Sequence, residues 1–88
     1  MYKYTFSPFT NESLPSSYRL FIALFSEFVI SVRKNLNLSQ KQLAAAINVS
    51  YSTINRWENG HVIPSNLATK SFLDFCENNF IDIPNGLL

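Results

Sequence analysis

Apolar residues recur at helical spacing along much of the chain, most clearly between residues 18 and 36. Ser16 or Ser17 is placed to cap a first helix over 18–36. One stripe of this helix consists of Phe21, Phe25, Phe28 and Val32. Three further apolar residues lie partly outside the stripe, Leu20, Leu24 and Ile30. Since a helix that is apolar on two sides needs a second partner, we expect the N-terminal segment or a second subunit to cover it.

Two short helical patterns follow on either side of a tight turn at Asn48. Ser39 and Gln42 have the spacing of a capping box, which begins the second helix. Ser50 is placed to cap a third helix over 51–59, and Gly60 is its natural terminator. The apolar positions that can converge on one core are Leu43, Ala44, Ile47, Val49, Ile54 and Trp57. This arrangement is typical of a helix-turn-helix spanning residues 39–60, whose second helix is offered to a DNA major groove.

A fourth helix is predicted over residues 66–78, after Pro64 and Ser65. Its inward residues are expected to be Leu67, Ala68, Phe72, Phe75 and Cys76. Residues 2–6 alternate aromatic with polar, and residues 80–83 form another candidate strand. Because isolated strands are unstable, we expect these two to pair with each other or across a dimer. The predicted organisation is an N-terminal extension (1–17), a helical domain (18–78) and a C-terminal tail (79–88).

Composition restricts the class of protein. A chain of 88 residues with 47% hydrophobic residues fits one globular domain with a modest core. The single cysteine excludes an internal disulfide and fits a reducing, cytoplasmic location. No secretion signal is visible, and polar residues interrupt the apolar stretch 20–32, so we expect no membrane span.

The net charge of +1 is small for a DNA-binding protein, but it is unevenly distributed. Within residues 33–70, Glu58 is the only acid, against five cations: Arg33, Lys34, Lys41, Arg56 and Lys70. The positive charge therefore lies in the segment that is predicted to meet DNA. The field is weak, so we expect neutral donors to make many of the phosphate contacts.

Catalysis is not expected. The chain has one histidine and six carboxylates, without a metal-ligand spacing, a nucleophile motif or a glycine-rich phosphate loop. We accordingly expect no catalytic residues, no metal and no cofactor. Cys76 is interpreted as a buried packing residue.

Several short motifs in register carry a family resemblance. They are Leu38-Ser39-Gln40, Leu43-Ala44, Val49-Ser50, Thr53-Ile54, Trp57-Glu58-Asn59-Gly60 and Pro64-Ser65. At these residues the chain resembles the Cro/C1 (XRE-type) helix-turn-helix family of bacterial and phage DNA-binding regulators, from about residue 33 to 75. Asn37 and Asn48 replace glycines that are common in the family. Asparagine is the non-glycine residue that best tolerates the positive φ that such turns require.

The resemblance implies roles for individual residues. Base contacts are expected from Tyr51, Ser52, Asn55 and Arg56. Phosphate contacts are expected from Gln40, Lys41 and Asn59. Arg56 is the foremost base-reading candidate, because a guanidinium can bind guanine O6 and N7 together. The family also pairs the acid at Glu58 with the arginine at Arg33, and both are interpreted as structural.

The sequence thus predicts a mainly α, four- to five-helix, lambda-repressor-like domain with short strands at its ends. The leading hypothesis is a homodimeric repressor that binds double-stranded DNA at a short inverted repeat and occludes a promoter. Three alternatives remain open. The first is an antitoxin-like or phage accessory autorepressor that binds a protein partner through its aromatic N-terminus. The second is a protein-interaction module without DNA binding, and the third is the recognition subunit of a DNA-modifying enzyme.

Overall fold

The fold is a bundle of four α-helices, seen in a computed structural model that describes residues 14–60 and 62–87. The helices are α1 (Ser16–Asn35), α2 (Gln40–Ile47), α3 (Tyr51–Glu58) and α4 (Asn66–Asn78). A short 3-10 helix (Asn85–Leu87) follows α4. The predicted mainly α, lambda-repressor-like architecture is confirmed. The predicted strand over 2–6 lies outside the described residues.

Serine side chains begin three of the helices. Ser39 accepts a hydrogen bond from the Gln42 N–H, and the Gln42 side chain accepts one from the Ser39 N–H, so the predicted capping box is present. Ser50 and Ser65 cap α3 and α4 in the same way, through the N–H groups three residues on. The first helix differs from the prediction. It begins at Ser16, directly after Pro15, and has no side-chain cap.

Each of the four helices is followed, one or two residues after its end, by a residue with positive φ: Asn37, Asn48, Gly60 and Phe80. This left-handed residue reverses the chain and lets free N–H groups reach back to the last carbonyl oxygens of the helix. At the end of α4, for example, the Ile81 N–H donates to the Cys76 oxygen at 2.9 Å. The predicted positive φ at Asn37 and Asn48 is confirmed, whereas Phe80 was not anticipated.

An aromatic cluster forms the centre of the core. Trp57 and Phe25 meet edge to face with ring centroids 5.0 Å apart, and Phe72 contacts both rings. Phe28 completes the cluster through Phe72. Around the cluster lie further buried residues, Val29, Val32, Leu43, Ala44, Ile47, Ile54 and Cys76. All six predicted helix-turn-helix core residues belong to this core or pack against it.

The C-terminal tail corrects one prediction, because residues 80–83 are not a strand. After the reversal at Phe80, Ile81 and Ile83 pack against the helical core, and Leu87 is buried in it. An isolated strand is unstable in water. The segment is therefore more stable when its apolar side chains pack against the helices and are removed from water. The tail thereby contacts α1, for which we expected a cover from the N-terminal segment or a second subunit.

Leu67 corrects a second prediction, since 78% of its surface is exposed instead of facing inward. On α1, Leu20 and Leu24 are also exposed, which agrees with their position outside the apolar stripe. Among the described residues, none of the helices combines the length and the apolar character that crossing a bilayer requires.

Two substitutions test the left-handed helix ends. Phe80 has φ of 59° while 96% of its surface is exposed, so its side chain contributes conformational cost without packing. We expect Phe80→Gly to raise the free energy of unfolding by about 1 kcal/mol, measured by urea denaturation. Phe80→Ala keeps the positive φ and is the matched control, with little expected gain.

Gly60→Ala should have the opposite effect. A Cβ at Gly60 would lie 3.8 Å from Ile22 Cγ2, which is an ordinary contact. We therefore expect the free energy of unfolding to fall by about 1 kcal/mol, because alanine is disfavoured at the positive φ of this position. Equal stability of the Phe80→Gly and Phe80→Ala variants would contradict this account.

Candidate nucleic-acid interface

A buried ion pair attaches α3 to α1. Arg33 Nε donates to Glu58 Oε2 at 2.6 Å, and Arg33 Nη2 donates to Glu58 Oε1 at 2.9 Å. The Glu58 side chain is only 6% exposed and that of Arg33 18%. Hydrogen bonding to Glu58 raises the pKa of the Arg33 guanidinium above its ordinary value. The two residues that the family resemblance pairs are therefore in bidentate contact, which fixes both position and orientation.

Two further hydrogen bonds extend this attachment. Arg33 Nη1 donates to the Leu38 carbonyl at 3.2 Å, which holds the turn before α2. Ser26 Oγ donates to the Glu58 carbonyl at 2.7 Å, and Ser26 is buried on α1. Sequence reasoning missed Ser26 because it interrupts an apolar run. A small hydroxyl residue on a buried helix face is the signal that indicates such a bond.

Helix α3 presents its polar side to solvent. Ile54 and Trp57 are buried beneath it, at 0% and 3% exposure. Tyr51, Ser52 and Arg56 are exposed on the opposite side. Of the four predicted base-contact residues, Asn55 alone is half-buried, and it is hydrogen-bonded within the fold.

This surface carries the cation Arg56, and Lys41 lies beside it. Arg56 is exposed and makes no hydrogen bond or salt bridge to the described residues. Lys41, at the start of α2, lies over the Tyr51 ring with Nζ 5.8 Å from its centroid. This cation–π contact brings a predicted phosphate residue beside a predicted base residue.

The other predicted phosphate residues are already bonded to neighbours on the protein. Gln40 Nε2 donates to Glu58 Oε1 at 2.9 Å. Asn59 Nδ2 donates to Asn55 Oδ1 at 3.1 Å. Gln40, Asn55 and Asn59 therefore form one polar group along the α2–α3 surface. The short α2 and α3 thus present a combined surface of hydroxyl, amide and cationic groups.

A helix of this size, exposed on one side and held on the other, is the recognition element of helix-turn-helix domains, which bind the DNA major groove. Residues 29–67 match the family model described as "Helix-turn-helix". The match covers the helix-turn-helix and agrees with the resemblance to the Cro/C1-type family of DNA-binding regulators that the sequence motifs predicted.

The chain also resembles the Type II methyltransferase M1.ScrFI of Lactococcus lactis subsp. cremoris. The two are 46% identical over 48 residues, which is 51% of this chain but only 12% of the methyltransferase. The similarity therefore concerns a small part of that protein. No solved structure matches the chain.

The ion pair should dominate the stability of the α1–α3 attachment. Arg33→Met leaves a buried carboxylate without its cation, and we expect it to lower the free energy of unfolding by about 3 kcal/mol. This is the lower end of the range for a buried pair, because Gln40 still donates to Glu58. The double variant Arg33→Met/Glu58→Leu should recover most of the lost free energy of unfolding, because it no longer contains a buried, unpaired carboxylate.

Lys70→Met is the matched control, since Lys70 and Asp74 form an exposed pair whose loss should cost less than about 0.5 kcal/mol. Denaturant titrations compare four variants: Arg33→Met, Glu58→Leu, the double variant that combines them, and Lys70→Met. Additive costs of Arg33→Met and Glu58→Leu would show that the pair has no coupling.

Cys76 provides a separate test of the core. Burial raises the pKa of its thiol to about 11. The thiol therefore stays protonated at pH 8, and we expect no reaction with an aromatic disulfide reagent in the native state. Full reaction is expected in urea. Rapid labelling of the native protein would contradict the burial of this thiol.

The same thiol predicts a pH dependence. Because its folded-state pKa lies above the unfolded value, the free energy of unfolding should fall as the pH rises from about 9 towards 11.

Proposed function

We propose that the chain is a sequence-specific DNA-binding transcriptional regulator that inserts α3 into the major groove. The observation that carries the proposal is the exposed Tyr51, Ser52 and Arg56 side on a helix held by the Arg33–Glu58 pair. The family of residues 29–67 supports it. Arg56 reads a base, Lys41 binds a phosphate, and the neutral side chains of α2 and α3 supply further backbone contacts.

The regulator acts as a homodimer on an inverted repeat and represses by occluding a promoter. A single short recognition helix reads few base pairs, and a two-fold axis doubles the site. The exposed Leu20 and Leu24 lie one turn apart on α1 and give a second copy an apolar surface to bury. The cytoplasm is the proposed location.

A second candidate is a recognition module that serves a DNA-modifying enzyme, with catalysis on another polypeptide. The identity shared with part of a methyltransferase favours it. This candidate predicts one chain per duplex and an asymmetric site, whereas the homodimeric regulator predicts two chains and a palindrome. The mass of the complex on a selected duplex, measured by light scattering, distinguishes them.

Selection from randomised duplexes at moderate salt tests the proposed function. We expect one enriched motif for the wild-type chain. Arg56→Ala should relax the preference at one position of each half-site, a loss of about 1–3 kcal/mol of discrimination. Lys41→Ala should weaken binding to all sequences alike and reduce the salt slope by about 1.

Arg19→Ala is the matched control for charge, because Arg19 is an exposed arginine on α1. It should leave the base preference unchanged. If wild-type protein enriches no motif, specific recognition is wrong. An unchanged motif with Arg56→Ala would remove Arg56 from the base-reading set.

A further inference from the structure

Asn55 is bonded at both ends of its side chain to other polar side chains of the same surface. Its Nδ2 donates to Gln40 Oε1 at 3.4 Å, and its Oδ1 accepts from Asn59 Nδ2 at 3.1 Å. Gln40 and Asn59 are two of the residues expected to contact phosphates. Asn55 therefore lies between two phosphate anchors, one at the start of α2 and one just after α3.

The Gln40 end of this amide chain is itself fixed. Gln40 Nε2 donates to Glu58 Oε1, the same oxygen that accepts from Arg33 Nη2. Because the Glu58 carboxylate is buried and held by two bonds from Arg33, it is a rigid acceptor. The orientation of Gln40 is thus set by the ion pair on one side and by Asn55 on the other.

These bonds conflict with a base-reading role for Asn55. An asparagine that recognises adenine offers its N–H and its carbonyl oxygen to the base together. In Asn55 one N–H and one oxygen lone pair already bond to the fold, and the side chain is half-buried, which opposes turning both groups to one base edge. Gln40 is also bonded at both ends, but its second Nε2 hydrogen is enough for a single phosphate contact. Arg56 is exposed and Asn55 is not, although the two are adjacent on α3.

We propose that Asn55 is a positioning residue, which holds Gln40 and Asn59 in place for phosphate contacts, and that it does not read a base. The inference rests on the proposed function, because it assigns a role within the same DNA-binding surface. Its consequence is specific. Loss of Asn55 should weaken binding to every sequence by the same factor, since phosphates carry no base identity.

The role also predicts a normal salt dependence. Amides are uncharged and release no counterions, so loss of their alignment should leave the salt slope unchanged. This separates Asn55 from Lys41, whose removal flattens the slope, and from Arg56, whose removal changes the preference at one base pair.

Asn55→Ala is tested on the selected duplex and on a set of duplexes in which each base pair is changed in turn. We expect about three- to tenfold weaker binding throughout, as for one or two neutral hydrogen bonds, with the order of preference retained. Combining it with Gln40→Ala should add little, because both variants remove the same alignment. Asn35→Ala, at an exposed asparagine that ends α1, is the matched control and should have no effect.

A second readout needs no DNA. In NMR spectra of the free protein, Asn55→Ala should shift the side-chain amide signals of Gln40 and Asn59, and Asn35→Ala should not. Unmoved signals overturn the inference. So does loss of preference at a single base pair in Asn55→Ala, with the wild-type motif intact, and this outcome leaves the proposed function standing. Failure of the wild-type chain to select any motif overturns the proposed function and the inference with it.

Discussion

A buried carboxylate on α3 sets the geometry of this domain. Glu58 is almost fully removed from solvent, so the fold must surround it with donors, and Arg33 from α1 and Gln40 from α2 supply them. An uncompensated charge in this position would be costly, which makes one arrangement of the three helices far more favourable than any other. Trp57, on the same helix, adds apolar packing against Phe25 and Phe72.

This attachment leaves the other side of α3 for a ligand. Since one side of an eight-residue helix is fixed by the pair and by two buried residues, its exposed side chains have a defined position. The helix carries one free cation within the described residues, Arg56, with Lys41 beside it on α2. The surface otherwise consists of hydroxyl and amide groups. Such a surface attracts the phosphate backbone of a nucleic acid only weakly. Binding would then depend more on the alignment of neutral hydrogen-bond donors than it does in a strongly basic protein.

Local chemistry explains which features the sequence could predict. Serine caps and residues that tolerate positive φ act over a few neighbours, so α4 was predicted from Asn66 to Asn78, as observed. The positive φ of Asn48 was predicted because this asparagine replaces a glycine that is common in the resembled family. Phe80 was not, because an aromatic residue is a poor choice for a left-handed position and nothing near it in sequence signals one.

The remaining differences come from contacts that are distant in sequence. The burial of Leu87 depends on where α4 and its reversal direct the tail, and no local pattern contains that information. The bonds of Asn55 likewise depend on how α2 crosses α3, since Gln40 lies 15 residues away. A family motif assigns a residue to a surface, but hydrogen bonds between helices decide whether its side chain is free.

The most direct measurement is an NMR titration of the labelled chain with a duplex selected from a random pool. If α3 is the recognition helix, the largest shifts should fall on Tyr51, Ser52 and Arg56 and at the start of α2, while the buried Trp57 indole moves little. Shifts concentrated on the exposed leucines of α1, with α3 unaffected, would contradict the account.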